Sequence, residues 1–237
     1  MKKIITSVLL FSIAFLATAQ NTIVNDANAE QRTVGAFTGI TVSSAIDIYL
    51  SQGDEDAIAV SATDIKYRDR IKTEVKAGIL TIWYENEGMH WSSGSKKLKA
   101  YISFKNINRL KASGASDVFI NGVLKLSDLD VRLSGASDLK GALDITNLTA
   151  NISGASDMTV SGKIGFLNIE AHGASDLKDF ELVVQNCDAI VSGASDIKIT
   201  VEKELNGKAS GASDIRIKGN GVIKTMNSSG ASSIKKS

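Results

Sequence analysis

The sequence predicts an all-β protein, a right-handed parallel β-helix (β-solenoid) with coils of about 18–21 residues that are less regular in the N-terminal half. The pentapeptide SGASD occurs five times, and HGASD and SGASS are near copies of it. Apolar and polar residues alternate between the copies, as they do in half-buried strands. A unit this short cannot bury an apolar face alone, so the units are expected to stack, and parallel crossovers are right-handed in ~98% of cases. The repeated glycines are Gly114, Gly135, Gly154, Gly173, Gly193, Gly211 and Gly230.

Residues 1–19 are predicted to be a secretory signal peptide. Lys2 and Lys3 precede an apolar run, and the small residues ATA at 17–19 form a cleavage site. We therefore expect an exported protein, located at the cell surface, outside the cell or in the periplasm. No later segment reaches ~18 consecutive apolar residues, so no membrane span is expected.

The remaining chain divides into a loose segment over residues 20–33 and a single β-helix head domain over residues 34–237. Residues 34–105 carry strand-like runs of unequal spacing and are predicted to be an irregular β part. Residues 106–237 contain the regular SGASD repeats. SSAID at 43–47 looks like a degenerate copy of the motif, so the solenoid is expected to begin near this point.

Each SGASD copy is predicted to be a corner of the solenoid. Glycine permits a backbone conformation that other residues resist, and alanine and serine are small enough for a crowded bend. Aspartate can accept a hydrogen bond from a nearby backbone N–H and close an Asx-turn. The motif therefore repeats because the corner repeats.

Stacked corners would place the acidic residues in one column, where neighbouring carboxylates about 5 Å apart repel by ~1 kcal/mol in water. Backbone N–H donors or bound calcium could offset that repulsion. The motif lacks the glycine pattern and the period of known calcium-binding repeats, so a structural column is favoured over a calcium site, and a catalytic role ranks third. The calcium candidates are Asp117, Asp138, Asp157, Asp176, Asp196 and Asp214.

The segment 85–97 interrupts the strand pattern with glycines, serines and charges. It carries Met89, His90 and Trp91, which are the candidate binding residues because an exposed tryptophan is a common sugar-stacking or partner-binding group. The alternative, which we favour for Trp91, is that it folds back as a lid over the solenoid end.

Two further residues invite a chemical role. His172 replaces the first serine of the motif and is interpreted as a tolerated substitution on a surface column rather than an acid–base group. Cys187 is the only cysteine, so no internal disulfide is expected, and its position among leucines predicts a buried, inert thiol.

Composition excludes two classes of partner. Two of the 27 basic residues lie in the signal peptide, which leaves 25 basic and 26 acidic residues and a net charge of −1. A nucleic-acid-binding domain needs a basic patch, and simple attachment to anionic lipid needs basic clusters, so neither is expected. No nucleophile motif, phosphate loop or zinc spacing occurs, and no cofactor is predicted.

The order of elements is similar to that of a known family. The stretches FTGITVSSAIDIYLSQGDED, GILTIWYE and INRLKASGASDVFI, followed by repeated SGASD corners, resemble the secreted bacterial head-domain family of auto-transporter adhesins, which is common in Bacteroidetes. The resemblance covers about residues 34–235. It implies a β-helix-like fold and a cell-envelope or extracellular location, and it brings no catalytic residues with it.

Three functions fit the sequence. We favour a non-catalytic, adhesin-like binding module that presents a rigid β-helix to glycan or protein partners, with homo-oligomers through the solenoid ends as a further expectation. A pectinase-like, polysaccharide-active enzyme is the first alternative, because Asp138 and Asp176 would lie ~9.6 Å apart, close to an inverting pair. Those acids should have equivalent environments, however, whereas catalysis needs acids with divergent pKa values. A purely structural envelope protein is the second alternative.

Overall fold

The computed structural model describes residues 26–86 and 95–237 and confirms the all-β fold, which these residues build from strands and a single short helix, α1 (Ile65–Arg68). The N-terminal strands are β1 (Glu30–Arg32), β2 (Gly39–Val42), β3 (Asp47–Gln52), β4 (Ala57–Ser61), β5 (Ile71–Lys76), β6 (Ile79–Tyr84), β7 (Lys99–Phe104) and β8 (Arg109–Ala112). The strands of the repeats are β9 (Val118–Leu133), β10 (Leu139–Ile152), β11 (Asp157–Gly173), β12 (Asp176–Gly193), β13 (Asp196–Gly211), β14 (Asp214–Lys218), β15 (Val222–Gly230) and β16 (Ser233–Lys236).

The repeats stack as parallel coils, and the prediction of a β-solenoid is confirmed. Strand β10 pairs in parallel with β9 and β11, so that Leu139 lies beside Val118 on one side and Met158 on the other. These partners lie 21 residues before and 19 residues after Leu139 in the sequence. The same pairing continues through β12 and β13, which gives a solenoid of about seven turns.

The N-terminal coils are stacked in a different order from the sequence. Strand β2 lies between β6 and β8, and β3 lies between β7 and β9, all in parallel. The coil built from β2 and β3 therefore contacts the first regular repeat directly. The coil built from β6 and β7 lies outside it, although it follows it in the chain.

Antiparallel strands are added at the N-terminal end of the solenoid. Strand β4 pairs antiparallel with β7, and β5 pairs antiparallel with β6. Strand β1 then pairs antiparallel with β4. We expected residues 20–33 to be loose, but the part described here, from residue 26, includes β1 because backbone pairing with β4 holds it in place. The predicted signal peptide lies outside the described residues.

One continuous apolar core fills the solenoid from Phe37 to Ile234. Each strand contributes alternate side chains, as in β7, where Ala100, Ile102 and Phe104 are buried. Cys187 lies in this core, 1% exposed, and burial raises the pKa of its thiol, as expected for an inert core residue. No helix in the described parts of the chain is long and apolar enough to cross a membrane.

Candidate functional site

The corner glycines are required by both backbone conformation and space. Gly154 has φ +80°, in the left-handed region, and a Cβ there would stand 2.5 Å from the carbonyl oxygen of Gly135 in the preceding coil. The close approach exists because the N–H of Ala155 donates to that same oxygen at 2.8 Å. This arrangement recurs from corner to corner, so the glycine column is dictated by coil-to-coil hydrogen bonding.

The second serine of each motif forms a buried ladder inside the corner column. Ser156 is fully buried, and its Oγ accepts a hydrogen bond from the backbone N–H of Ser137 at 3.0 Å. The contact recurs between Ser116 and Ser137 at 3.2 Å and between Ser175 and Ser195 at 3.1 Å. Sequence reasoning treated this serine only as a small residue and missed its role as a buried acceptor.

The aspartates form a second ladder along the outer side of the same corner. Each carboxylate accepts a hydrogen bond from the backbone N–H of the acidic residue in the next coil, and the last one accepts from Ser233. The donor therefore lies one coil away, not within the same corner as an Asx-turn would require, because the stacked strands leave that N–H pointing along the column. The distances from the donor N to the acceptor Oδ1 are 2.6–3.4 Å for Asp117 N to Asp47, Asp138 N to Asp117, Asp157 N to Asp138, Asp176 N to Asp157, Asp196 N to Asp176, and Asp214 N to Asp196.

Basic side chains two residues after the acids offset the repulsion within this column. Lys140 Nζ lies 2.9 Å from Asp138, and Lys178 Nζ lies 2.6 Å from Asp176 and 3.4 Å from Asp157. Hydrogen bonds to these carboxylates raise the pKa of both lysines. The arrangement combines backbone N–H donors with lysine ammonium groups, and both offset the repulsion between stacked carboxylates.

The two ends of the acidic column differ in electrostatics. At the N-terminal end, burial raises the pKa of Asp47 although it accepts from Asp117 N–H. At the C-terminal end, Ser233 donates both its N–H and its hydroxyl to Asp214, at 3.1 and 2.6 Å. These bonds and the neighbouring Arg216 lower the pKa of Asp214. Replacement of the last acid by Ser233 thus supplies a donor where the column ends.

The six calcium candidates are brought together in one column, but their Oδ1 atoms accept backbone hydrogen bonds. Within residues 26–86 and 95–237, no group of three or more His, Cys, Asp or Glu side chains has an arrangement that could hold a metal ion. The column therefore has a structural explanation that needs no ion.

Of the other residues singled out in the sequence for a chemical role, the structure describes His172 in addition to the core thiol. Met89, His90 and Trp91 lie outside the described residues. His172 is on the surface of the corner column, where its Nδ1 lies 2.6 Å from Ser192 Oγ and its Nε2 lies 3.8 Å from Glu170. It is hydrogen-bonded to its column neighbour and not to an acid of the Asp column.

Three aromatic rings, which sequence reasoning did not find, stack on the neighbouring strands β7, β3 and β9. The rings of Tyr101 and Tyr49 lie 5.2 Å apart, and those of Tyr49 and Phe119 lie 5.1 Å apart. Lys140 Nζ approaches Phe119 at 5.9 Å. The three residues belong to different coils and come together only through the N-terminal stacking order, so no sequence spacing indicates them.

A family model described as "Putative auto-transporter adhesin, head GIN domain" matches residues 36–221. No match was found among curated proteins. The match spans the N-terminal coils and most of the repeats, and it ends one residue before β15.

Solved structures share the fold. A crystal structure of a putative adhesin from Bacteroides fragilis superposes with a TM-score of 0.79 at 20% identity, covering 88% of this chain and 96% of that chain. A putative adhesin from Parabacteroides merdae gives 0.69 at 18% identity, with 89% and 95% covered. A putative lipid binding protein from Parabacteroides distasonis gives 0.68 at 18% identity, with 90% and 98% covered. At these identities the likeness extends to the fold alone.

Proposed function

Since the chain belongs to the family of auto-transporter adhesin head GIN domains, we propose that it is a non-catalytic, secreted or cell-surface binding module. It presents a rigid β-solenoid to glycan or protein partners. The observation that carries this proposal is the engagement of the corner acids in coil-to-coil hydrogen bonds, as in Asp157 with the N–H of Asp176 at 3.2 Å. The repeated acids build the scaffold, which leaves its outer faces for recognition.

The outer faces have the properties of a recognition surface. Polar side chains on them are held in place by neighbours in the next coil, as Asn147 Nδ2 donates to Asp128 at 2.9 Å and Asn206 Nδ2 donates to Asp188 at 2.8 Å. A solenoid offers such ordered side chains over a long, flat surface that suits extended partners. Side chains ordered before binding lose less conformational entropy when a partner docks.

The pectinase-like alternative is supported less well. Asp138, Asp157 and Asp176 each accept the same backbone hydrogen bond and each lie near a lysine. An acid–base pair needs one carboxyl with a raised pKa and one without, which equivalent environments do not provide. The purely structural alternative predicts no ligand at all, and binding measurements distinguish it.

Export and self-association complete the proposal. The protein is proposed to act at the cell surface or outside the cell, after removal of residues 1–19. The expected association of copies through the solenoid ends stays a prediction, and sedimentation velocity of the purified protein between low and high concentration tests it.

The test of the proposed function is a binding screen on glycans, mucins and anionic lipid vesicles, with product release read from the same wells. Binding to a glycan or a glycoprotein without released product is expected. Released sugar would overturn the non-catalytic assignment, and binding to vesicles alone would replace the glycan or protein partner by lipid. No binding in any well would favour the structural alternative.

A further inference from the structure

The last coil that the structure describes has a strand edge with which no described strand pairs. This coil consists of β15 and β16, joined by a corner at residues 231–232. Within the described residues, β15 pairs only with β13 and β16 only with β14. No strand of the described parts of the chain therefore pairs with the outer edge of β15 over its 9 residues. An unpaired edge of this kind is a template for a strand from another chain.

The two ends of the solenoid differ in how their strands pair. At the N-terminal end, the antiparallel strands β4 and β5 extend β7 and β6, whereas the described part of the C-terminal end carries no antiparallel strand. At the C-terminal end, Val222 and Met226 are 54% and 59% exposed, among the most exposed large apolar side chains described. This end thus combines open backbone groups with apolar side chains that an added strand would cover.

The charged side chains of the last coil are all basic. Some of its positions are polar where earlier coils are apolar. Lys236 occupies the position of buried Ile217, and Ser228 that of buried Ala209. Lys236 Nζ reaches the carbonyl oxygen of Gly221 at 3.4 Å, so its stem extends along the open end. Residues 222–237 contain no acid and three lysines, Lys224 on β15 and Lys235 and Lys236 on β16. Lys224 Nζ lies 3.2 Å from Glu204 of the preceding coil, so the positive charge without a salt bridge in this coil comes from β16.

This charge selects among partners for the edge. Two copies joined through their C-terminal ends would bring both sets of lysines together, which disfavours that one arrangement of the predicted self-association, since like charges at an edge are a known protection against self-pairing. An acidic segment would be attracted by the same lysines. The coil also begins where the family match ends, at residue 221, so it is a feature of this chain beyond the part that the match covers.

We propose that the β15 edge binds an extended acidic segment of a partner protein as an added strand. Backbone pairing along β15 would supply the shared interaction, Met226, which follows the core-facing position of Gly207, would contact its apolar side chains, and the lysines would select its charge. The proposal rests on the proposed binding function, which it deepens by giving the protein partner a chemical class and a place on the molecule.

The probe is a nine-residue peptide that alternates valine or threonine with glutamate, labelled for fluorescence anisotropy and titrated with the full chain. Two further peptides carry backbone N-methyl groups at the odd or at the even residues. Strand addition expects one N-methylated peptide to lose binding and the other to keep it, because alternate N–H groups face the edge. Equal binding of both would reduce the contact to charge attraction and overturn strand addition.

The matched variants reverse the charge at the edge or away from it. The triple change Lys224→Glu, Lys235→Glu and Lys236→Glu should weaken binding by about tenfold or more and should favour a lysine version of the peptide. The control triple Lys111→Glu, Lys125→Glu and Lys163→Glu makes the same change in net charge at exposed positions on earlier coils. It should leave the affinity for the acidic peptide close to that of the unaltered chain.

The outcomes separate this inference from the proposed function. If the acidic peptide does not bind, the lysines serve only to prevent self-pairing of the edge. If both triple variants lose the same affinity for the peptide, the edge is not the binding site. A stable dimer that the edge triple alters would replace the acidic partner by a second copy. Each of these results overturns the inference and leaves the outcome of the screen on glycans, mucins and lipid vesicles unaffected.

Discussion

Asp176 accepts a hydrogen bond on Oδ1 from the backbone N–H of Asp196, at 2.6 Å across the boundary between two coils. The two residues lie 20 positions apart in the sequence and side by side in the sheet. This contact joins a repeated side chain to a repeated backbone group, so the same residue type serves at every coil. Stability of the solenoid along its axis is therefore tied to the acid as a hydrogen-bond acceptor.

Removing the acceptor from the middle of the column should destabilise the fold. Asp157→Ala leaves the half-buried N–H of Asp176 without its 3.2 Å partner, which is expected to cost about 1–3 kcal/mol in the free energy of unfolding. Asp157→Asn keeps an acceptor oxygen and should cost less. Urea denaturation measures both, and Asp144→Ala, at an exposed position on the neighbouring strand, is the control. Equal stability of the Ala variant and the control would mean that the aspartate ladder does not contribute to the stability of the protein.

Two glycines with the same backbone conformation separate strain from crowding. Gly154 and Gly122 have φ values of +80° and +79°, but a Cβ at Gly154 meets a carbonyl oxygen at 2.5 Å while one at Gly122 meets nothing within 4 Å. Gly122→Ala should cost about 1–2 kcal/mol from the left-handed conformation alone. Gly154→Ala should cost clearly more, because two coils must also move apart. The midpoint of thermal unfolding ranks the two variants, and similar midpoints would contradict the crowding argument.

Much of this architecture could be predicted from the sequence, for physical reasons. A period near 20 and strict alternation of apolar residues reflect stacking and burial, so the repeats and their core followed directly. The partner of each aspartate did not follow, because a pentapeptide shows a donor and an acceptor but not which coil supplies them. The Asx-turn was the local solution, and the structure uses a neighbouring coil.

The N-terminal half shows a different limit. Its strands were visible in the sequence. The position of the β2–β3 coil between β6–β7 and β8–β9 results from pairing between strands far apart in the chain, which no local pattern indicates. Tyr49, Tyr101 and Phe119 become neighbours only through this order, and their stacking could not be read from spacing. The candidate loop with Trp91 lies outside the described residues, so it stays a prediction.

The buried serine ladder predicts a cost for a very small substitution. Ser156→Ala removes the hydroxyl that accepts from Ser137 N–H at 3.0 Å in a fully buried site. The unsatisfied N–H should lower the free energy of unfolding by about 1–3 kcal/mol. Ser127→Ala, at an exposed position on β9, should have almost no effect on the same urea titration. Unchanged stability of both variants would indicate that the buried N–H finds another acceptor.

Calcium should leave the fold unaffected. The corner acids already accept backbone N–H bonds and contact Lys140 and Lys178, so no free oxygen cage is needed to offset their repulsion. We expect the same unfolding midpoint in a calcium buffer and in a chelator, measured by differential scanning calorimetry. An upward shift with calcium that disappears in Asp157→Asn would return the column to the class of metal sites.

The last coil should lose its attachment at low pH through Asp214. Hydrogen bonds from Ser233, with Arg216 nearby, lower the pKa of Asp214 in the folded protein. A lowered folded pKa contributes stability that is fully present above the unfolded value of about 3.9 and is lost as the pH falls through the folded value. Hydrogen exchange at the amides of β16 should therefore accelerate as the pH falls through this window, relative to β10 amides in the same sample.

In Ser233→Ala the folded pKa of Asp214 returns toward the unfolded one, so this pH-dependent part of the exchange should shrink. A β16-to-β10 ratio with the same pH dependence in both proteins would exclude Asp214 as the group responsible.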